Sequence, residues 1–270
     1  MRQLRSRWPV PDIEGVIERR LLVNYRVDPE LAQALLPAPF RPRVVGGADG
    51  WAVAGICLIR LGRQRPRGLP ALVGLASESA AHRFAVEWDD PTAPGGTTSG
   101  VYVPRRDTAS AVNALVGGRL FPGVHRRARF TVDRTPERLR VAFSGVDGAT
   151  SADVAVEPAP ALDDSSLFDD LATASRFFAA DSVAYSATSD GGCFDGVELQ
   201  TDAWRIEPVR VVAARSSFFD DPHRFPAGAA TLDCALLMQD VPVTWHPLAR
   251  LSPLAGDEVG TGAGTVTAAG

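Results

Sequence analysis

Arg127-Ala128-Arg129-Phe130-Thr131-Val132 and, after a short link, Arg138-Leu139-Arg140-Val141-Ala142-Phe143-Ser144 alternate apolar with polar side chains. Successive side chains of an extended chain point to opposite sides, so Ala128, Phe130 and Val132 share one face, as do Leu139, Val141 and Phe143. The link 133–137 contains Pro136, and the two runs read as half-buried strands of an antiparallel hairpin. Working outward, Asp147-Gly148 marks a second turn leading into Ala152, Val154 and Val156. Further on, Leu232, Cys234, Leu236 and Met238 alternate with Asp233, Ala235, Leu237 and Gln239. Strand periodicity dominates the chain.

Helical signals are fewer. Asp28-Pro29-Glu30 predicts a helix start, with a capping oxygen, a proline at the first helical position and an early carboxylate. Leu31, Ala34 and Leu35 form its expected apolar stripe, and Pro37 ends it. Asp163-Asp164 predicts a second helix with Leu167, Phe168, Leu171, Ala174 and Phe178 on one face. A third is expected over 109–116. Many antiparallel strands around a few short helices predict an α+β or mostly-β, barrel-like domain. No repeat or linker divides it, so the expectation is one domain over 13–250 between flexible tails at 1–12 and 251–270.

All 28 basic residues are arginine; the sequence contains no lysine. Drift toward GC-rich codons explains such a composition, but the chemical consequence holds regardless of cause. A side-chain Schiff base requires a lysine amine, and a guanidinium stays protonated and cannot attack a carbonyl. With 45% hydrophobic residues, a chain of this length can bury roughly three quarters of its unfolded surface. A net charge of −4 supplies no footprint for nucleic acid or an anionic membrane. The longest apolar stretches, such as 71–76, fall far short of a membrane span, and no apolar run follows Arg2, Arg5 and Arg7 as a secretory signal requires. Cys57, Cys193 and Cys234 are odd in number and widely spaced, which argues against zinc and disulfides. The expectation is a soluble cytoplasmic protein handling a small molecule, without cofactor, metal, nucleic acid or membrane, and compatible with a homo-oligomer.

Most polar clusters have a plain reading. Arg60, Arg63, Arg65 and Arg67 read as a solvated loop before they read as an anion site. Gly95-Gly96 lacks the flanking strand and helix of a phosphate loop and reads as a turn. Asp163/Asp164 and Asp169/Asp170 suit a helix N-terminus and a wet face better than a metal. Asp220-Asp221-Pro222-His223 reads as a polar turn. No G-x-S-x-G elbow supports a hydrolase. His82, His125, His223 and His246 are scattered without ligand spacing. The stretch Ser77-Glu78-Ser79-Ala80-Ala81-His82-Arg83 is richer. As a strand it puts Glu78, Ala80 and His82 on one face and Ser79, Ala81 and Arg83 on the other. Glu78 and His82 directed into a barrel would form an acid–base pair; on the wet face, or in a satisfied structural bond, they would not. A slip of one residue exchanges His82 for Arg83.

Val23-Asn24-Tyr25-Arg26-Val27-Asp28-Pro29-Glu30-Leu31, followed by Leu35-Leu36-Pro37-Ala38-Pro39, resembles the acetoacetate decarboxylase-like superfamily. Ser77-Glu78-Ser79 looks like that family's Thr-Glu-Ser, which carries an active-site glutamate, and 231–239 suits its closing strand. Arg65-Pro66-Arg67-Gly68-Leu69-Pro70, a glutamate–arginine strand and Gly100-Val101-Tyr102-Val103 resemble an uncharacterised branch of the superfamily. The ordered set, over most of 16–248, carries the likeness.

The resemblance implies a twisted antiparallel β-barrel with a few short outer helices and a polar cavity. It also implies chemistry through a lysine Schiff base, and here the sequence departs. The matching stretch is Gly117-Gly118-Arg119-Leu120-Phe121-Pro122, with Arg119 near the family's paired lysines. A second cavity glutamate, expected on the strand 51–61, is replaced by Ala54, Gly55 or a neighbour. The implied site therefore holds Glu78 as general acid/base, with Arg119 and Arg83 anchoring anionic oxygens. Tyr102 and His82 are expected to support or relay protons, and Arg26 to bind substrate. That set suits Schiff-base-independent lyase, isomerase or cyclase chemistry on an oxygenated carbonyl or carboxylate metabolite. A non-catalytic small-molecule-binding barrel, serving as carrier or sensor, is the alternative. A partner-binding protein with an apolar-filled interior is a third.

Overall fold

The computed structural model describes residues 3–4, 11–117 and 122–253. Arg119 and most of the two expected tails lie outside the described residues. The strands are β1 (Gln3–Leu4), β2 (Ile13–Val27), β3 (Arg41–Pro42), β4 (Val44–Val45), β5 (Trp51–Pro66), β6 (Leu75–Asp89) and β7 (Thr97–Thr108). They continue with β8 (His125–Arg134), β9 (Leu139–Gly145), β10 (Ser151–Pro158), β11 (Val183–Ala187), β12 (Phe194–Gln200), β13 (Glu207–Ser216) and β14 (Ala230–Leu251). Among the described residues three α-helices interrupt them: α1 (Pro29–Leu35), α2 (Ala111–Val116) and α3 (Leu171–Ala180).

The protein is mostly β, and its sheet is ring-like but uneven. The long strands β14, β2, β5, β6 and β7 pair side by side as one antiparallel wall. From β7 the pairing returns to β14 by two routes. One runs through β11 and β12, the other through β8, β9, β10 and β13. The expected all-antiparallel barrel is corrected here, because β7 pairs in parallel with both β8 and β11. Parallel neighbours need a crossover connection, which α2 supplies before β8.

Side-chain alternation along the wall builds two cores. Leu21, Val23, Tyr25, Ile56, Leu58 and Phe84 face one of them. Leu22, Cys57, Leu236 and Met238 face the other, together with Phe177 and Phe178 of α3. Each buried side chain of this size contributes about 1.5–3 kcal/mol. The hairpin read from the sequence forms as β8 and β9, with Phe130 opposite Phe143 and Val132 opposite Val141.

Asp28 caps α1 by accepting from the Glu30 and Leu31 amides, at 2.9 and 3.2 Å. Its buried side is Ala32 and then Leu36, while Ala34 is exposed, so the expected stripe is shifted. α2 begins at Ala111, capped by Ser110. The second helix begins at Leu171 rather than near Asp163. The Asp163 carboxylate binds the amide and hydroxyl of Ser165, a local turn that competes with a helix. Asp170 caps α3 instead, accepting from the Thr173 amide at 2.6 Å. The arginine cluster belongs largely to β5, not to a solvated loop: Arg60 pairs with Glu18 and Arg65 with Glu14, and beyond the strand Arg67 pairs with Asp12.

Candidate functional site

A cavity of about 800 Å³ lies on the α3 side of the wall, between β2, β5, β6 and β7 and the returning strands β11, β12 and β14. β6 enters it through alternation, which sends Ser79, Ala81 and Arg83 inward. Arg83 is 3% exposed. It donates to Asn24 Oδ1 and lies over the Phe178 ring, 5.0 Å from its centroid. Arg106 reaches the cavity from β7, donates through Nε to Ser186 Oγ at 3.0 Å, and keeps Nη2 buried without a partner. Arg20 comes from β2, its Nε 3.4 Å from Cys57 Sγ.

None of these three guanidinium groups forms an ion pair among the described residues. The acids nearby are unequal. Asp107 is held in a two-pronged bond by Arg105, at 2.9 and 2.8 Å. Asp181, just past α3, accepts from Arg43 at 2.6 Å through Oδ1, while buried Oδ2 has no partner. Burial pushes the Asp181 carboxyl up to about 6, outweighing Arg43 and Arg83, which hold it down. Burial brings Arg83 down to about 10, helped by repulsion from Arg20, and brings Arg106 down to about 10 as well. Both remain cations at neutral pH. His125 lines the same cavity and is pushed down to about 4, by burial first and Arg106 second, so its ring is neutral. The lining also holds Glu198 and the exposed Asp202, so the positive character is local: Arg20, Arg83 and Arg106, none of them ion-paired among the described residues, suit an anion around the buried Arg83 in a largely apolar chamber.

Of the residues expected from the sequence, Arg83 is the one brought to this cavity. Glu78 is not among the lining residues; its carboxylate is 2.6 Å from Arg19 and 4.0 Å from Arg60. His82 is fully buried on the other side of the wall, stacked on Phe218 with ring centroids 4.6 Å apart. Both of its ring nitrogens lack partners, and burial drives its pKa down to about 3. Tyr102 packs among Phe40 and Phe194, in the same core. Arg26 is bound to Asp233 at 2.8 Å and to the Ser165 carbonyl. Arg119 lies outside the described residues. The residues missed are Arg20, Arg106 and Asp181. Arg106 carried a faint signal, a cation at the end of a run containing Val101 and Val103. Asp181 carried none, since only the packing of α3 brings it here. Among the described residues, no group of acids, histidines and cysteines could hold a metal ion. No described helix is long and apolar enough to cross a membrane.

This architecture is similar to that of acetoacetate decarboxylase-like proteins. The acetoacetate decarboxylase of Legionella pneumophila shares 10% identity, covers 93% of this chain and 91% of its own, and superposes with a TM-score of 0.57. The enduracididine biosynthesis enzyme MppR, solved with the condensation product of pyruvate and imidazole 4-carboxaldehyde, shares 16% identity over 91% of this chain and 90% of its own, with a TM-score of 0.56. An acetoacetate decarboxylase-like enzyme from Sphingomonas wittichii RW1 shares 13% over 91% and 93%, with a TM-score of 0.54. Residues 16–241 match the DUF2071 family, described as an uncharacterized conserved protein, and the chain belongs to that family. No curated protein matches the sequence.

Proposed function

We propose that this protein is a small-molecule enzyme performing Schiff-base-independent acid–base chemistry, of the lyase or isomerase type, on an oxygenated carbonyl or carboxylate metabolite. The observation that carries this reading is the pairing of three uncompensated arginines, Arg20, Arg83 and Arg106, with one half-engaged carboxyl, Asp181, around a single cavity. A substrate carboxylate takes bidentate bonds from these guanidinium groups. The same cations stabilise negative charge as it develops on a carbonyl oxygen. With a pKa of about 6, Asp181 is mostly ionised at pH 7 and close to the optimum for exchanging protons. Its Oδ2 removes a proton from the carbon beside the carbonyl, the C–H electron pair passes into the carbonyl, and the enolate oxygen is held by arginine. Delivery of the proton to a different carbon, or to the opposite face of the same one, completes an isomerisation; collapse of the enolate pair into a new carbon–carbon double bond, with a neighbouring group departing with its bonding electrons, completes an elimination. The acid–base role that the sequence suggested for Glu78 thus passes to Asp181.

Support comes from the similar structures, two of them an acetoacetate decarboxylase and a like enzyme, and one an enzyme holding a condensation product of pyruvate. The free thiols Cys57, Cys193 and Cys234 fit a cytoplasmic site of action. Proton NMR in D2O with a panel of 2-oxo and 3-oxo acids tests the reading. Deuterium incorporation or conversion that is lost in Asp181→Asn is expected. Saturable binding with no exchange in the wild type would instead select a carrier or sensor, the reading favoured by the engagement of Glu78 with Arg19.

A further inference from the structure

The cavity is polarised along its length, and the strand register shows how. Arg83 lies opposite Gly55, and the next inward position on β5, Cys57, stands level with Ala81 and Arg106. One step further, Ile59 lies opposite Arg20. Beyond that level the lining of the wall turns apolar: Leu61, Ile13 and Trp245. Ile13 is the register neighbour of both Pro66 and Trp245, which places this group together at the far end. The polar residues around it are engaged or exposed at the rim: Glu198 accepts from Gln200, and Asp202 is exposed. Arg65 is ion-paired with Glu14, Gln64 accepts from Ser77, and Thr201 donates to the Pro242 carbonyl. Burial follows the same gradient, from Arg83 at 3% exposed to Leu75 at 46% and Val112 at 48% at the rim. From Gly55 to Leu61 the strand advances roughly 20 Å.

Volume argues in the same direction. At roughly 30 Å³ per heavy atom, a four-carbon oxo acid fills only about a quarter of such a space. An apolar region left filled with water would waste the hydrophobic contribution that its walls offer.

We infer that the ligand is amphipathic: an anionic oxo-acid head on Arg83, Arg106 and Arg20, and an aliphatic or aromatic tail of at least several carbons along Ile13, Leu61 and Trp245. This rests on the anionic-head reading given above and adds the class of substrate. The residues at the outer end are then the determinants of specificity, since they contact the part of the ligand that does not react.

Calorimetric titration of the full chain with pyruvate, 2-oxohexanoate, 2-oxooctanoate and 2-oxodecanoate tests it, with the fluorescence of Trp204 and Trp245 as a second readout. Affinity is expected to rise about threefold to fourfold for each added methylene. Leu61→Gln should lower the ratio of long-chain to short-chain affinity by at least tenfold. Comparable affinity for all four acids would overturn the tail while leaving the anionic head intact. Equal affinity for octan-1-ol and 2-oxooctanoate would overturn the head and the reading beneath it. Absence of binding across the series would overturn both.

Discussion

Asn24 and Arg83 meet across a strand that lies between them: Arg83 on β6 donates to the Oδ1 of Asn24 on β2, over Gly55 of β5. All three residues are in register, and the missing side chain at Gly55 opens the gap that the bond spans. A Cβ at this position would lie 2.5 Å from the Val23 carbonyl and 3.3 Å from Asn24 Oδ1. Gly55→Ala must therefore displace backbone as well as the anchor of Arg83. A loss of about 1–3 kcal/mol is expected in urea unfolding, together with weaker oxo-acid binding. Wild-type stability with wild-type affinity would show that the gap is not needed.

Arg106 presents the opposite balance. Its guanidinium is largely buried with one nitrogen unpartnered and no carboxylate paired to it among the described residues, which costs stability in the empty protein. Arg106→Met is expected to raise the melting temperature by a few degrees and to weaken anion binding about 10-fold to 100-fold, the worth of a charge-assisted bond. Thermal melts and calorimetry on the same preparation read both effects. A variant that melts lower and binds equally well would remove Arg106 from the site.

Asp181 makes stability depend on pH in an unusual direction. Its folded pKa of about 6 lies above the ordinary 3.8, so between these values the folded state holds a proton that the unfolded chain has lost. The stabilisation is present below about pH 4 and disappears as pH rises through 6, a change on the order of 1–3 kcal/mol. Asp181→Asn should flatten this segment relative to wild type, and chemical unfolding at pH 4, 5, 6 and 7 measures it. Parallel curves for the two proteins would refute the raised pKa.

Glu78 and Arg19 form a pair whose side chains are 14% and 7% exposed. Glu78→Gln leaves a buried guanidinium without its carboxylate, and a loss of about 3 kcal/mol is expected. Oxo-acid affinity should stay within about twofold, because Glu78 does not line the cavity. A general acid/base, the role expected of Glu78 from the sequence, would instead lose turnover at nearly intact stability. The two readings separate cleanly in one urea titration and one binding curve.

The strands were legible because half-buried strands write their burial into alternate residues, as in Phe130/Val132 and Leu139/Val141/Phe143. The same alternation correctly separated Glu78 and His82 from Ser79 and Arg83. It did not say which face meets the cavity, because both faces of β6 are covered: His82 packs on Phe218, and Arg83 lies over Phe178. That choice is made by the second return route through β8–β10 and β13, which buries what would otherwise be an outer surface. Asp181 and Arg106 line one cavity only through the packing of α3 and the β7–β11 pairing, contacts far apart in sequence that leave no periodic trace.

His82 offers the sharpest acid-side test. Its ring is fully buried against Phe218, neither nitrogen has a partner, and its pKa is driven to about 3 by burial, then by Arg105 and Arg224. The folded protein therefore holds the neutral ring while the unfolded chain takes up a proton below about 6.5. Its contribution to stability is complete above that pH and is lost as pH falls toward 3. At pH 5 the loss amounts to about 2 kcal/mol. Asp181 changes stability in the opposite sense over part of this range, and His125 in the same sense, so the wild-type profile alone would mislead. Comparing wild type with His82→Leu cancels both. The variant removes the titrating ring for a side chain of similar volume, and the difference in unfolding free energy between pH 7 and pH 5 should shrink by about that amount. An unchanged difference would mean that the ring is protonated in the folded state, which the apolar packing around Phe218 and the neighbouring arginines oppose.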